Sequence, residues 1–232
     1  MQPTTLSHCY FEKMTSTPSV LMLQNLRTLL SALFFVYFLG LGTPNLEAEE
    51  IFQHGEHCLA YKTEETFLLF IDSDVVGKTC EISARLESEG EHTRYVVSFP
   101  IRSLDTGVDI RDKDVIEILS ADSDPIIRFV SDFVTDDQVV EALIQGTTKL
   151  SGVLEVGGNP YKVLFPLKLS EHSGTRLVTG KLVTSFSEFG LELPAVLGGV
   201  VANTHDYLEL LVHIRLGRVH GLTEFQAESI SQ

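Results

Sequence analysis

The sequence is poor in the residues from which metal centres and disulfide frameworks are built. Its 232 residues include three cysteines, eight histidines and no tryptophan, which leaves little material for either kind of site. Basic residues are scarce as well, because 17 lysines and arginines stand against 32 aspartates and glutamates, a formal net charge of −15. A surface of that sign repels phosphate backbones, so we expect no nucleic-acid partner.

One long hydrophobic run stands apart from the rest of the chain. Residues 29–41, LLSALFFVYFLGL, carry no charge, with Arg27 before them and Gly42-Thr43-Pro44 after them. The run is too short for a membrane-spanning helix, which needs about 20 apolar residues, but it has the dimensions of the apolar region of a signal peptide. We expect residues 1–48 to be a presequence that is cleaved on export, with Met22 as an alternative start, and the mature protein to be periplasmic or secreted.

The part that follows the presequence is expected to fold as one domain. The net charge belongs to it, since only two acidic and two basic residues precede position 49. The length fits one β-barrel or sandwich and is short for two full domains. We assign residues 49–217 to this domain and residues 218–232 to a C-terminal tail.

Apolar side chains recur at every second position in four segments, which places them on one face of a strand. The segments are residues 79–87, 149–156, 161–169 and 207–216. Further strands are predicted at residues 59–63, 67–72, 94–101, 126–134 and 177–186, with a hairpin turn at residues 157–160. One short helix is predicted over residues 114–121 with Asp112 as its N-cap, and residues 136–145 fit a second short helix or another strand. These elements predict an all-β protein, an antiparallel barrel of about eight strands or a sandwich.

Several short motifs occur in a fixed order along the chain. They are Ser-Leu-x-Thr-Gly at residues 103–107, Arg111-Asp112, Pro-x-Ile-x-Phe at residues 125–129, Gly-x-Leu at residues 152–154 and Ser-x-Phe-Gly at residues 187–190. In this order they resemble the pattern of the YceI-like family of lipid-binding proteins, over about residues 55–216. The chain departs from that pattern at Asp114, where family members often carry histidine.

The resemblance implies an extended lipocalin-like barrel that holds an isoprenoid chain, of quinone or polyprenyl type, as a carrier or reservoir. On this basis we expect five apolar residues to contact the ligand, three of them on inward phases of the hairpin at residues 150–169, and Arg111 to hold its polar head. The apolar residues are Phe129, Leu154, Phe165, Leu167 and Phe186. No cofactor is required besides the bound lipid, and transient membrane contact and a homodimer stay open. The alternative is an envelope interaction or stress-adaptation module whose barrel interior is packed with side chains.

Three local features have a simpler interpretation. Arg111 also fits a structural ion pair with one of the nearby carboxylates, and its residue context favours this role. Cys58 and Cys80 alternate on different faces relative to their neighbours, so we expect two unpaired thiols, although export would permit a bond. The histidines are scattered, and no nucleophile, zinc or phosphate-loop motif occurs, so we predict no enzyme and neither a catalytic nor a metal site.

Overall fold

The computed structural model of the protein describes residues 51–68, 70–90, 92–172, 174–196 and 202–221. In these residues the chain forms twelve strands: β1 (Cys58–Phe67), β2 (Ile71–Thr79), β3 (Ser83–Glu89), β4 (His92–Pro100), β5 (Ile126–Ser131), β6 (Val134–Thr135), β7 (Thr147–Val156), β8 (Asn159–His172), β9 (Thr175–Thr184), β10 (Ala195–Val196), β11 (Ala202–Thr204) and β12 (Leu208–Arg215). The two helices are α1 (Asp109–Ile118) and α2 (Asp136–Gln145). None of the described helices is long and apolar enough to cross a bilayer, and the predicted leader at residues 29–41 lies outside the described residues.

The strands pair antiparallel in one curled sheet, in the order β2-β1-β12-β9-β8-β7-β5-β4-β3. The short strands β11 and β10 continue the pairing beside the last residues of β1, and β6 pairs with the first residues of β4. Loops tie down the two terminal strands: Lys78 of β2 exchanges two backbone hydrogen bonds with Asp105, and His220 exchanges two with β3. This arrangement confirms the predicted antiparallel, lipocalin-like fold.

The predicted hairpin between β7 and β8 is present, but its turn is shorter than predicted, because Asn159 and Pro160 already belong to β8. Val156 pairs with Asn159, and Gly157 and Gly158 between them have φ angles of 56° and 76°. Both central residues of this two-residue turn need positive φ, which glycine adopts without steric cost.

Three predicted strands have wrong boundaries. Residues 126–134 are divided between β5 and β6, with Asp132 and Phe133 outside both strands. Residues 67–72 contain the end of β1, a turn and the start of β2, because the apolar run there is the tip of a hairpin. Residues 79–87 are divided between β2 and β3, since Thr79 pairs with Leu59 while Ser83 pairs with Ser98. Apolar and polar residues keep alternating between β2 and β3, although the two strands pair with different neighbours. The boundary between the strands is therefore not visible in the sequence pattern.

The helices also differ from the prediction. Helix α1 begins at Asp109, five residues early, and its N-cap residue is Val108. Asp112 is therefore not the cap; its carboxylate accepts hydrogen bonds from the backbone N–H and the hydroxyl of Thr106, at 2.9 and 2.6 Å. Residues 136–145 are helical, because Thr135 and Gln138 form a capping box that satisfies free N–H groups of the first turn.

The expectation of two unpaired thiols was wrong, because Cys58 and Cys80 form a disulfide. The register of β1 and β2 pairs Leu59 with Thr79, so one further step along both strands sets the two cysteines opposite each other. Opposing residues of antiparallel strands share a face. The prediction treated Cys80 as part of the strand that follows it, whereas Cys80 extends β2.

The outer face of β12 is buried and not solvated as its alternation predicts. Glu209 and His213 are only 4% and 9% exposed, although antiparallel sheets commonly leave one face in water. The segment that precedes β1 covers this face: Phe52 stacks on the His213 ring, with centroids 5.1 Å apart, and packs against Leu211. Both faces of β12 therefore lie in the protein interior.

Candidate ligand-binding site

A cavity of about 880 Å³ lies inside the curled sheet. Inward-facing side chains of β1, β4, β5, β7, β8, β9 and β12 form its wall, together with residues of both helices. In the last strand the apolar phase predicted from alternation faces this space: Leu208, Leu210, Val212 and Ile214. The volume lies toward the upper end of the roughly 300–1,000 Å³ typical of small-molecule pockets.

All six residues predicted to contact a ligand line this cavity: Phe129, Leu154, Phe165, Leu167, Phe186 and Arg111. Leu154, Phe165 and Phe186 are buried, and Phe129 and Leu167 are half-buried. The rings of Phe129 and Phe165 pack edge to face, with centroids 5.7 Å apart. Their role in binding a ligand stays a prediction.

Two glycines let aromatic rings lie close against the sheet. A Cβ atom at Gly152 would come within 2.7 Å of the Phe129 ring, and one at Gly77 within 2.2 Å of the Tyr61 ring. Real Cβ atoms do not approach so closely, so a larger residue at Gly77 would displace the ring, and one at Gly152 would also meet the Val130 carbonyl oxygen at 2.4 Å. A glycine in a strand often marks such a close approach, and here it keeps the ring near the cavity wall.

The two helices lie at opposite ends of β4. Pro100, the last residue of β4, leads towards α1, whereas the first residues of β4 pair with β6, which leads directly into α2. A core cluster lies at the α1 end: the predicted ligand residues Leu154 and Phe186 belong to it together with Phe189, and Ile116 of α1 packs against it. At the other end Val139, Ala142 and Leu143 of α2 face the cavity, and no residue of α2 is buried.

A charged pair in the cavity wall connects α1 with β1. Nη2 of Arg111 donates a hydrogen bond to Oε1 of Glu65 at 3.1 Å. Arg111 therefore forms an ion pair as expected, but its partner is Glu65 of β1 and not a carboxylate close to it in sequence. Both side chains line the cavity. A guanidinium carries five N–H donors, so one carboxylate leaves it able to bind a further oxygen.

Tyr61 adds a neutral hydroxyl to the same wall. Burial raises the pKa of Tyr61 well above its usual value of 10, and the nearby charge of Arg111 offsets only part of this shift. The phenol therefore stays protonated at physiological pH and can donate or accept a hydrogen bond.

Sequence reasoning missed Tyr61, Glu65 and the cavity-facing residues of α2. A signal for the first two exists, because Leu59, Tyr61 and Glu65 share one phase of β1 and all line the cavity. The polar residues Thr63 and Glu65 in that phase hid the alternation of apolar side chains. For α2 the signal was the capping box, which identifies a helix and hence an apolar face with a period of 3.6 residues.

One group of described residues offers metal-ligating atoms close together: Glu56, Cys58 and Cys80. Metal ligation by cysteine requires a thiolate. Both sulfur atoms here are bonded to each other, so this group does not fit a metal site in the oxidised protein.

A comparison with protein families identifies the chain. The profile described as the YceI-like domain matches residues 60–215, from the third residue of β1 to the last residue of β12. The chain belongs to the YceI-like family. No curated protein matches this YceI-like chain.

Solved structures similar to this YceI-like protein include proteins from Burkholderia cenocepacia, Campylobacter jejuni and Saccharophagus degradans. BcnA of Burkholderia cenocepacia is 15% identical with a TM-score of 0.49, and the match covers 67% of this chain and 94% of that chain. The Campylobacter jejuni YCEI protein is 15% identical with a TM-score of 0.46, covering 62% and 84%. A polyisoprenoid binding domain from Saccharophagus degradans, implicated in plant cell wall breakdown, is 14% identical with a TM-score of 0.45, covering 68% and 94%.

Proposed function

We propose that this YceI-like protein binds an amphipathic isoprenoid lipid, of quinone or polyprenyl type, and acts as its carrier or reservoir and not as an enzyme. The observation that carries the proposal is the cavity of about 880 Å³ with apolar side chains on its strand faces. An isoprenoid tail gains about 0.8 kcal/mol for each CH₂ equivalent that leaves water. A preformed apolar space of this size suits such a ligand, whereas a polar metabolite would lose its hydration there.

The charged pair supports a head group without formal charge. Arg111 supplies N–H donors, and the carboxylate of Glu65 lies 3.1 Å from it. A quinone carbonyl or an alcohol can accept from the guanidinium without disturbing the pair. A phosphate would bring negative charge beside Glu65 in a poorly solvated site, which is unfavourable. Glu65→Gln removes that repulsion and should improve binding of a polyprenyl phosphate relative to the corresponding alcohol.

The proposal includes export of the protein. The charge-free run at residues 29–41 has signal-peptide dimensions, and an exported carrier would work in the periplasm or outside the cell. Mass measurement of protein from the envelope fraction tests this step, with a shortened chain expected. A full-length species that stays in membranes after a carbonate wash would contradict it.

Leu154→Phe tests the binding proposal, because it fills cavity volume without adding charge. The parent, purified from an isoprenoid-making host, should release lipid on organic extraction and carry the same mass in native mass spectrometry. The variant should stay folded, melt near the parent's temperature after delipidation and lose the lipid. Leu164→Phe is the matched control, since Leu164 lies on the same hairpin but is exposed and does not line the cavity.

The opposite outcome would favour the alternative function. If the parent carries no extractable lipid, and Leu154→Phe only lowers its stability, then the interior serves as a core. The protein would then be better described as a non-catalytic interaction module of the cell envelope.

A further inference from the structure

A group of large apolar side chains is exposed at one end of the sheet, where β1 and β2 meet and α1 begins. We call this group the apolar rim; its members are Phe67, Leu68, Phe70, Ile71, Val108 and Ile110. Phe70 and Ile110 are 79% and 71% exposed. Single exposed apolar residues are common on protein surfaces, but a contiguous set around a pocket indicates an interaction site.

The apolar rim is continuous with the cavity. Phe67, Val108 and Ile110 also line the cavity, so they lie at its opening. The hydrogen bond between Arg111 and Glu65 joins the two parts of the rim, because Arg111 follows Ile110 and Glu65 shares a strand phase with Phe67. A lipid that enters between the hairpin and α1 therefore meets apolar side chains first and the charged pair next.

The charges around the rim restrict the surface on which it can dock. Residues 64–74 contain four carboxylates and no basic residue, and residues 105–114 contain four carboxylates with Arg111 and Lys113. A negative surrounding of this kind is repelled by anionic lipids. The exposed side chains themselves suit the interface of a bilayer, where aromatic and aliphatic groups bury their apolar surface.

We propose that the apolar rim docks on a zwitterionic phospholipid bilayer, so that an isoprenoid tail moves between bilayer and cavity without crossing water. This inference rests on the proposed function, because the bilayer is the source and destination of the lipid. It commits to a membrane surface and not to a protein partner, since the rim leads into an apolar cavity whose ligand class dissolves in bilayers.

Sedimentation with sucrose-loaded vesicles tests the proposal. The mature protein, from which the leader has been removed, should bind vesicles of phosphatidylcholine. Mixing phosphatidylglycerol into the vesicles at low salt should weaken the binding. The double variant Phe70→Ser/Ile110→Ser should lower the partition coefficient about tenfold or more, because two apolar anchors are lost. It should also slow the transfer of a fluorescent isoprenoid from vesicles to the protein.

The matched control is Leu164→Ser/Val183→Ser. Both residues are large, apolar and exposed but lie on strands and do not line the cavity. This variant should bind vesicles as the parent does. A second control, Ile144→Ser, removes an 80% exposed side chain of α2 and should likewise leave binding unchanged. Equal losses in all three variants, or loss only in Ile144→Ser, would overturn the assignment to the rim.

The readouts separate this inference from the proposed function. Recovered lipid without vesicle binding would reject the docking site and leave lipid binding intact. Vesicle binding without extractable lipid would reject the carrier function and leave the docking site intact. A parent dimer that Phe70→Ser/Ile110→Ser dissociates, in the absence of vesicle binding, would identify the rim as a self-association surface and overturn the proposal.

Discussion

The two faces of the β1–β12 strand pair are both shielded from water, but they are shielded in different ways. The inner face, with Leu210 and Val212, borders the cavity. The outer face is packed solidly: Leu211 and Cys58 lie beneath Phe52, and the disulfide to Cys80 is on this side. The comparison shows that one face can hold the strands in place while the other stays available to a ligand.

The outer face also contains buried polar groups that are fully engaged. Glu209 accepts hydrogen bonds from the hydroxyl of Tyr207 and, at 2.9 Å, from Nζ of Lys181. Burial raises the pKa of Glu209, but these two hydrogen bonds and the positive charges of Lys181 and Lys62 together outweigh it, and the net shift is downward. Such groups stabilise a fixed arrangement only when their partners are present, and both partners of Glu209 are in place here.

The largest loss of stability is expected when alanine replaces one of two adjacent leucines of β12, Leu210 and Leu211, which point to opposite faces. Leu211→Ala should lower the free energy of unfolding by about 3–4 kcal/mol, because it opens a hole in close packing. Leu210→Ala should cost about 1–2 kcal/mol, since Leu210 is only half-buried, whereas Leu211 is 2% exposed and packs with Phe52 and Cys58. Denaturant unfolding of delipidated protein measures both changes, and the free energy of unfolding should fall more for Leu211→Ala than for Leu210→Ala. Equal costs would show that the faces are not packed differently.

A somewhat smaller loss of stability is expected when the disulfide is removed. Cys58 and Cys80 close a loop of 22 residues in sequence separation, so Cys58→Ala/Cys80→Ala should lower the free energy of unfolding by about 3 kcal/mol. Reduction of the parent with dithiothreitol should have the same effect. Lipid recovery under stabilising conditions should not change, because the bond lies on the outer face. Detection of two titratable thiols in the non-reduced parent would contradict the assignment.

The sequence predicts the inner face well and the outer face poorly. Period-two alternation is a property of single strands, so the cavity phases of β7, β8 and β12 are predicted, and Leu154 and Phe165 with them. The outer partners depend on contacts that are distant in sequence. Phe52 covers Leu211, and Cys80 meets Cys58 only through the register of β1 and β2. Pairing register and the path of a covering segment are not local properties, and alternation carries no information about either.

Gly77→Ala tests the cavity side of the sheet, where the Tyr61 ring lies over Gly77. The new Cβ would lie 2.2 Å from the Tyr61 ring, so the ring has to move into the cavity. We expect a cost of about 1–2 kcal/mol in the free energy of unfolding and a clear loss of recovered lipid. Gly217→Ala is the control, because nothing lies within 4 Å of the Cβ position there. A Gly77→Ala variant that keeps its lipid would place the ligand away from Tyr61.

The smallest effect is a pH dependence that comes from the outer face. His57 is buried, and its Nδ1 accepts the backbone N–H of Arg215 at 3.1 Å. Burial lowers the pKa of His57 below 6.5, and the charges of Arg218 and Arg215 lower it further. Below pH 6.5 the unfolded chain therefore binds a proton that the folded chain does not, and stability falls until the lowered pKa is reached.

His57→Gln should flatten this fall in the free energy of unfolding between pH 7 and about pH 5, because glutamine can still accept from Arg215 but does not titrate in that range. Glu209 does not interfere, since its lowered pKa affects stability only below 4.5. A slope that persists in His57→Gln would mean that another group on the covered face titrates, and that His57 is not the residue whose protonation weakens the contact between the N-terminal segment and β12.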